Sequence, residues 1–388
     1  MLIFLSMPKR PKRIRILLTG GGTGGHIYPL VAVAEELNKQ VNARGFDADI
    51  RYFGDAGDFK NQIESRGIKI AKITPSKLRR YFDLQNFLDI FRFIFGVIQS
   101  LWKIFWFMPH VAFSKGGPGS LAVISACRFY FVPLVIHESD AIPGITNRIS
   151  AKAARLIELA FVAAKDYFPA KKPMHLVGNP VREEITRGDS DPIVKGEFGF
   201  DPQKPVIFFI GGSQGAEKLN EFVFENIETL TQKYQVIHQI GPKNFTSYAN
   251  EFNSTYKNRL EDLKKRYVFA PYFENNLNKV YGASDLIVAR AGSGLIFEAA
   301  ALGKPAILVP LPESANNHQV ANAYEYEKTG AALVVEQENL LPGVLIAEIE
   351  KILKSGELYK KMSEAAKKFY IPDSAQMIAN NILGLILK

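Results

Sequence analysis

The sequence RIRILLTGGGTGGHIYPLVAVAEELNKQ, residues 13–40, decides the fold. The apolar, β-branched run at residues 14–18 predicts a buried strand, and the glycines of residues 20–25 predict a tight turn. Residues 29–40 predict a helix with four apolar side chains on one face, namely Leu30, Val33, Ala34 and Leu37. A strand, a glycine-rich turn and a helix in this order are typical of a doubly wound α/β domain.

The same unit occurs three more times along the chain. Strands are predicted at residues 111–114, 206–210 and 285–289, each followed by a glycine-rich turn and a helix. Further strand candidates lie at residues 50–53, 132–136, 236–240, 268–270 and 306–310. Strands that alternate with helices indicate parallel sheets connected by right-handed crossovers.

A chain of 388 residues is long enough for two domains. The strand–turn–helix units form one series before about residue 180 and a second series after it, and residues 169–180 between them are rich in proline and glycine. We therefore predict two doubly wound Rossmann-like domains that face each other across a cleft, at residues 1–175 and 182–372. The last helix, within residues 373–388, is predicted to pack back on the first domain.

The composition excludes several classes of protein. Hydrophobic residues make up 47% and charged residues 22%, as in soluble globular proteins. The single cysteine, Cys127, excludes an internal disulfide and a multi-cysteine metal cluster. Residues 1–172 hold 25 Lys or Arg and 13 Asp or Glu, so they carry most of the excess positive charge. This basic first half favours an anionic partner, which is a nucleic acid, an acidic lipid or a phosphorylated substrate.

The glycine-rich turns predict anion sites. Gly20, Gly22 and Gly25 match the dinucleotide pattern G-x-G-x-x-G, but Asp55, the nearest acidic candidate for a ribose contact, lies 35 residues after Gly20 rather than about 20. The turns do not contain the G-x-x-x-x-G-K-[ST] pattern of a P-loop, which argues against a P-loop kinase or ATPase. Each turn nevertheless leads into a helix N-terminus, where free N–H groups and the helix dipole favour a phosphate.

A metal-dependent mechanism has little support in the sequence. The pair Asp47 and Asp49 forms a D-x-D, which grips a metal–diphosphate in some glycosyltransferases, but here it precedes a strand and is better interpreted as a solvated turn. We therefore expect no metal and no cofactor. Helix dipoles and backbone N–H groups would then have to stabilise a diphosphate leaving group.

Two side chains are candidates for binding or catalysis because of their positions next to the glycine-rich turns. Glu298 lies four residues beyond Gly294, near the start of a predicted helix, where a carboxylate either accepts hydrogen bonds from the vicinal hydroxyls of a ribose or simply complements the helix dipole. His26 follows the first glycine turn, where it is a base, a phosphate ligand or a structural histidine.

Six motifs in one order resemble the MurG family of N-acetylglucosaminyltransferases. They are GGGTGGHIYP at residues 20–29, HESDAIPGITNR at 137–148, GNPVR at 178–182, GGSQGA at 211–216, RAGSGLIFEAAALGKPAILVP at 290–310 and HQVANA at 318–323. The resemblance implies a GT-B fold, with the acceptor on the first domain and the nucleotide sugar mainly on the second. It also implies transfer of GlcNAc from UDP-GlcNAc to the 4-hydroxyl of lipid I, the undecaprenyl-diphospho-N-acetylmuramoyl-pentapeptide, with inversion, to give lipid II for the cell wall.

The resemblance also implies which residues bind the substrates. His26 is its candidate for the general base, and Glu298 matches the ribose-binding glutamate. Asp140 stands where the family often has an asparagine, and His318 stands with Gln319 where paired glutamines are common. The further substrate-binding positions are Thr23, Gly24, Gly25, Arg182, Ser213, Phe273, Ser293, Gly294, Leu295, Ile296 and Phe297.

Other functions remain open from the residues. A UDP-sugar epimerase or a different lipid-directed transferase can share this architecture, and so can a non-catalytic, membrane-bound sugar-nucleotide binder. The expected partners are UDP-GlcNAc, lipid I and an anionic membrane surface, and we expect no nucleic acid partner.

The most apolar stretch, residues 84–108, predicts membrane contact. Asp89, Arg92 and Lys103 interrupt it, which argues against a membrane-spanning helix. On a helix these three residues form one narrow polar stripe with Gly96 and Gln99. The rest of the surface is largely apolar, as for a deeply packed helix or one that dips into a lipid leaflet. We predict peripheral binding at the cytoplasmic face of the cell membrane. Residues 1–6 lack a preceding basic residue and a cleavage site, so they do not match a signal peptide.

Overall fold

Two parallel β-sheets organise the protein in a computed structural model that describes residues 13–75, 84–186, 192–212, 215–273 and 276–387. The first sheet has seven strands in the order β3-β2-β1-β4-β5-β6-β7. Its strands are β1 Arg13–Thr19, β2 Asp47–Gly54, β3 Lys69–Lys72, β4 Val111–Ser114, β5 Leu134–Glu138, β6 Leu156–Leu159 and β7 Met174–Leu176. Strands β4, β5 and β6 are buried along their whole length, as expected for parallel strands covered on both faces.

The second sheet has six strands in the order β10-β9-β8-β11-β12-β13. Its strands are β8 Val206–Ile210, β9 Gln235–Gln239, β10 Tyr267–Ala270, β11 Leu286–Ala289, β12 Ala306–Leu308 and β13 Ala332–Val334. All strand pairs in both sheets are parallel. Two doubly wound parallel sheets confirm the predicted fold class.

Helices cover both faces of each sheet. In the first half they are α1 Gly24–Ala43, α2 Lys60–Glu64, α3 Leu84–Phe107, α4 Ser120–Phe129, α5 Ile145–Ser150 and α6 Glu183–Thr186. In the second half they are α7 Pro192–Glu197, α8 Glu217–Lys233, α9 Pro242–Thr255, α10 Leu260–Lys264, α11 Leu277–Ala283, α12 Ser293–Ala301, α13 His318–Glu327, α14 Pro342–Lys354, α15 Gly356–Phe369 and α16 Ser374–Gly384.

The four glycine-rich turns found in the sequence lie where strand order reverses. β1 lies between β2 and β4 in the first sheet, and β8 lies between β9 and β11 in the second. The turns follow β1, β4, β8 and β11, which are the strands on either side of the two reversals. Ligands of open α/β sheets bind at the carboxyl ends of such strands. The two domains therefore present equivalent binding edges.

The last helix returns to the first domain. α16 packs against α1, and its apolar residues Ile378, Ala379, Ile382 and Leu383 belong to the core that α1 forms with the first sheet. α16 also contacts a buried carboxyl group of the first sheet. Glu158 on β6 is buried and accepts a hydrogen bond from Asn381 Nδ2 at 2.9 Å.

Several predicted element bounds need correction. α1 begins at Gly24, not at Pro29, so the proline lies inside the helix. Strands β3, β6, β7 and β13, of three or four residues each, were not predicted from the sequence. The D-x-D at Asp47 and Asp49 lies within β2, where the Asp49 carboxylate pairs with Arg51.

Candidate active site

A cavity of about 670 Å³ lies between the two domains. It is lined from the first domain by the start of α1 and by the loop after β5, and from the second by the loops after β8 and β11 and by α12. Most of the predicted site residues line it, namely Thr23, Gly24, Gly25, His26, Asp140, Arg182, Ser293, Gly294, Leu295, Glu298, His318 and Gln319. The structure therefore brings side chains up to 296 residues apart in sequence to one cleft.

His26 sits in the first turn of α1 with its ring held between glycines. Its Nδ1 lies 2.7 Å from the Oγ1 of Thr23. A Cβ on Gly21 would come within 3.1 Å of Nδ1, and a Cβ on Gly117 would come within 3.4 Å of Nε2. Gly117 also has φ of +88° and lies against the backbone of Gly21, so only glycine fits there. The two glycine loops of the first domain thus fix the imidazole from both sides.

The imidazole of His26 is neutral at physiological pH. Burial, reinforced by the positive charge of Lys115, lowers the pKa of His26 to about 4, while Asp140 opposes this shift. A neutral ring has one nitrogen free to accept a proton. If Nδ1 donates to Thr23, Nε2 is the acceptor.

The loop after β5 is held by a buried carboxylate. Glu138 accepts hydrogen bonds from the N–H of Asp140 at 3.0 Å, the N–H of Gly144 at 3.2 Å and the Nδ2 of Asn147 at 2.9 Å. Burial and the charge of Asp140 raise the pKa of Glu138 to about 7. These bonds fix the backbone that presents Asp140 to the cleft.

Asp140 makes a contact across the domain boundary. Its Oδ1 accepts a hydrogen bond from Nδ2 of Asn322 on α13 at 2.8 Å, and Oδ1 of Asn322 accepts from the N–H of Ala141 at 2.7 Å. Asn322 is fully buried. The carboxylate of Asp140 thus accepts a hydrogen bond from the second domain.

A buried lysine lies behind His26 and reaches the hinge. Nε2 of His137 bonds to the carbonyl oxygen of Gly178 at 2.8 Å, so Nδ1 is left to accept from Nζ of Lys115 at 2.5 Å. The same Nζ lies 3.3 Å from Oδ1 of Asn179. Burial lowers the pKa of Lys115 to about 7, opposed by Glu138 and Asp140. The ends of β4 and β5 are thereby tied to the interdomain segment.

Glu298 projects from α12 into an arginine–tyrosine cluster. Its Oε1 lies 3.3 Å from a guanidinium nitrogen of Arg182, and its Oε2 accepts from the hydroxyl of Tyr281 at 2.8 Å. The Arg182 guanidinium stacks on the ring of Tyr28, with its carbon 4.5 Å from the ring centroid. The Tyr28 hydroxyl lies 3.2 Å from the hydroxyl of Tyr272. The carboxylate is thus held in place with lone pairs still available for further hydroxyl donors.

Family models match both halves of the chain. The glycosyltransferase family 28 N-terminal domain matches residues 16–157, and the glycosyltransferase family 28 C-terminal domain matches residues 206–378. This chain belongs to glycosyltransferase family 28.

Relatives of this family 28 glycosyltransferase carry one specific name. The chain is 36% identical over 372 residues to the UDP-N-acetylglucosamine--N-acetylmuramyl-(pentapeptide) pyrophosphoryl-undecaprenol N-acetylglucosamine transferase 2 of Bacillus cereus, covering 95% of this chain and 99% of the relative. It is 34% identical over 379 residues to the transferase of the same name, without the number, from Clostridium tetani, covering 96% and 98%. The resemblance to the MurG family is confirmed.

A solved structure agrees with this fold. The crystal structure of MurG from Acinetobacter baumannii aligns with a TM-score of 0.71 at 24% identity, covering 96% of this chain and 99% of that one. The GT-B architecture predicted for the family 28 glycosyltransferase is therefore confirmed.

Four predicted residues of the glycosyltransferase have side chains that do not line the cavity or are not described. Ile296 and Phe297 are buried in the core of the second domain, since they lie on the face of α12 opposite to Leu295 and Glu298. Phe273 is also buried, with its ring 6.2 Å from that of Phe208, and its neighbour Tyr272 faces the cleft instead. Ser213 lies outside the described residues.

Other lining residues of the glycosyltransferase were not singled out in the sequence. Among them are Tyr28, Asn179, Gln239, Tyr272, Arg290 and Gln337. Tyr28, Asn179 and Arg290 stand inside the quoted motifs, so the motifs themselves were the available signal. Gln239, Tyr272 and Gln337 belong to other segments of the second domain and follow no local pattern.

Proposed function

We propose that this family 28 glycosyltransferase moves GlcNAc from UDP-GlcNAc to the 4-hydroxyl of lipid I and forms the β-1,4 link of lipid II. The acceptor hydroxyl attacks the anomeric carbon from the face opposite UDP, so the configuration inverts. The observation that carries the proposal is the interdomain cavity, into which the glycine loop with His26 opens from one side and the cluster around Glu298 from the other. The names of the relatives supply the substrate class.

The second domain is suited to hold the donor. Glu298 accepts the ribose hydroxyls, and Arg182 beside it meets the diphosphate. Arg182 lines the cavity, and its Nε has no hydrogen-bond partner among the described residues, so the guanidinium keeps hydrogen-bonding capacity for a phosphate. The N-terminus of α12, at Ser293 and Gly294, also opens into the cavity, where its dipole favours the negative charge that develops on UDP as the bond breaks. Gln319 and His318 line the same side.

The first domain is suited to activate the acceptor. His26 is our candidate for the general base, since its ring is neutral and in the cavity, with Thr23, Gly24 and Gly25 around it. Asp140, on the loop after β5 of the same domain, bonds to Asn322 and so keeps the two domains in contact while the sugar is transferred. Closure of the two domains excludes water and limits hydrolysis of the donor.

The exposed face of α3 supports a position at the membrane. Its large apolar side chains are unusually exposed, with Trp102 at 64% and Trp106 at 70%. By length and composition, Asp89–Phe107 is also one helix among the described residues that is long and apolar enough to cross a membrane. Ile104 and Phe107 are nevertheless buried in the core of the first domain, so the helix lies along the domain surface. We propose that its outer face dips into the cytoplasmic leaflet, where the lipid-linked acceptor is anchored.

A transfer assay tests the proposed reaction. The protein is incubated with radiolabelled UDP-GlcNAc and lipid I, and the label is followed into lipid. We expect labelled lipid II that depends on both substrates. An epimerised UDP-sugar without lipid label would indicate an epimerase, and UDP-GlcNAc binding without any product would indicate a non-catalytic binder. Either result would overturn the proposal.

A further inference from the structure

Two tyrosine hydroxyls meet across the cleft. Tyr28 belongs to α1 of the first domain, and Tyr272 follows β10 of the second, 244 residues later. Their oxygens lie 3.2 Å apart, and both side chains line the cavity and are half-buried. Burial, and then the hydrogen bond to Tyr28, raises the pKa of Tyr272. The hydroxyl of Tyr272 therefore stays protonated over the working range of pH.

The ring of Tyr28 is fixed by three neighbours. A Cβ on Gly24 would come within 3.2 Å of its edge, and the ring of Phe59 meets it edge-on with centroids 5.6 Å apart. The Arg182 guanidinium covers its face at 4.5 Å. Tyr28 is thus packed against the turn that carries His26 and, at the same time, against the arginine that pairs with Glu298.

We propose that Tyr28 and Tyr272 are positioning residues that fix the first glycine loop, residues 20–25, relative to the donor site of the second domain. The proposal rests on the proposed glycosyl transfer and adds two separable roles for Tyr28. The hydroxyl, through Tyr272, holds the start of α1 at a fixed distance from the second domain. The ring face holds Arg182 beside Glu298, and so acts on donor affinity.

The geometry explains why the two roles separate. The hydroxyl contact joins the two domains, and among the described residues Glu298 takes its hydrogen bonds from Arg182 and Tyr281 rather than from either hydroxyl of that contact. Loss of the contact therefore misplaces the loop of His26 while Glu298 and Arg182 stay paired. The stacking contact lies on Arg182 itself, and a guanidinium on an aromatic face is stabilised by cation–π attraction. Tyr28→Phe keeps the stacking contact with Arg182 and removes the hydroxyl contact with Tyr272.

Kinetics with conservative variants test the first role. Tyr28→Phe and Tyr272→Phe should each lower kcat for transfer to lipid I about 2- to 10-fold, the range expected for one neutral hydrogen bond. The Kd for UDP, from calorimetry, should stay within about twofold of wild type by the same reasoning. The double variant should match either single variant, because both remove the same bond. The proposal would be overturned if the two losses of kcat multiplied in the double variant. It would also be overturned if the single variants kept the kcat of wild type.

A larger change tests the second role. Tyr28→Leu removes the ring face, and we expect the Kd for UDP to rise about 3- to 20-fold beyond that of Tyr28→Phe. An equal Kd in the two variants would overturn the stacking role. Tyr324→Phe is the matched control, since its hydroxyl bonds to Glu336 at the surface of the second domain and lies outside the cavity lining. Its kcat and Kd should equal those of wild type, and thermal melting verifies that each variant folds.

Hydrogen–deuterium exchange separates this inference from the proposed function. In wild type, UDP should protect the backbone of α12 and also residues 20–28 of the first domain. In Tyr28→Phe and Tyr272→Phe the protection of α12 should persist and that of residues 20–28 should fall. This readout needs no acceptor, so it stands even if wild type fails to transfer GlcNAc. Equal protection of residues 20–28 in wild type and variants would overturn the coupling.

Discussion

Glu298 is the residue whose chemistry depends most on its neighbours. Both carboxylate oxygens already have partners, Arg182 on one and Tyr281 on the other. A carboxylate held in this way accepts further hydroxyl hydrogen bonds without first losing side-chain entropy, which suits it to a ribose.

Glu298→Gln should therefore weaken donor binding. The amide keeps the size of the side chain but replaces charge-assisted hydrogen bonds by neutral ones and leaves Arg182 without its counter-charge. We expect a loss of about 1–3 kcal/mol, seen mainly as a higher KM for UDP-GlcNAc if the ribose contacts are alike in ground and transition states. Steady-state kinetics at saturating lipid I measure it. An unchanged KM and kcat would remove Glu298 from the donor site.

His26 should titrate far below an ordinary histidine. Its pKa is lowered to about 4, so the His26 ring binds a proton less readily in the folded protein than in the unfolded chain. The folded protein therefore loses stability as pH falls from about 6.5 to about 4. The ring resonance in NMR, assigned by its absence in His26→Gln, should show a midpoint near pH 4. A midpoint near 6.5 would contradict the burial of the ring.

Among the elements, α3 has the clearest unpartnered surface. Phe95, Ile98, Trp102, Phe105 and Trp106 are each about half-exposed or more. Its opposite face carries Ile104 and Phe107 into the core and receives α4. An apolar arc of this width on a soluble domain is typical of an interfacial helix.

Trp102→Ser with Phe105→Ser should weaken vesicle binding. We expect the wild-type protein to sediment with anionic vesicles, in part through its basic first half, which salt screens, and in part through an apolar component that salt leaves in place. The double variant should lose most of the salt-resistant component. Leu341→Ser, on an exposed apolar residue of the second domain, is the control and should bind as wild type does. Equal sedimentation with neutral and anionic vesicles at low salt would contradict the electrostatic part.

At the scale of the whole molecule, the helix α16 packs the end of the chain against the first domain. It contacts a buried carboxyl group there, that of Glu158. Glu158 is fully buried, and its Oε2 has no hydrogen-bond partner among the described residues. Burial raises the pKa of Glu158 to about 7, against the opposing hydrogen bond from Asn381. The folded protein therefore loses stability as pH rises from about 4.5 to about 7, and the loss is complete above that range.

Glu158→Gln should stabilise the protein at alkaline pH and not at acid pH. The amide accepts the Asn381 hydrogen bond without bringing a charge into the core, so at pH 8 we expect a gain of about 1–3 kcal/mol in the free energy of unfolding. At pH 5 the difference should vanish, since the wild-type carboxyl is then protonated in the folded state. Urea unfolding at both pH values measures the effect, with the exposed Glu357→Gln as control. A variant equally destabilised at both values would show that the carboxyl is not protonated in the fold.

The sequence alone determined the features that depend on short-range patterns. Strand–glycine–helix units specify parallel α/β domains because the hydrophobic period and the turn residues act over a few positions, and these units located β1, β4, β8 and β11. Their positions after a glycine-rich turn likewise located His26 and Glu298, whereas Arg182 came from the resemblance to the MurG family. The strands β3, β6, β7 and β13 escaped because they are short and, unlike β4 and β11 of similar length, do not lead into one of the glycine-rich turns.

Only the tertiary structure decided how the two halves meet. Neighbouring residues of one loop point in opposite directions, so the cleft receives Tyr272 while Phe273 enters the core, and on α12 it receives Glu298 while Phe297 is buried. The contacts of Asp140 with Asn322 and of Tyr28 with Tyr272 join residues about 180 and 240 positions apart. Such pairs follow from the packing of one domain on the other, which depends on long-range burial and leaves no local trace in the sequence.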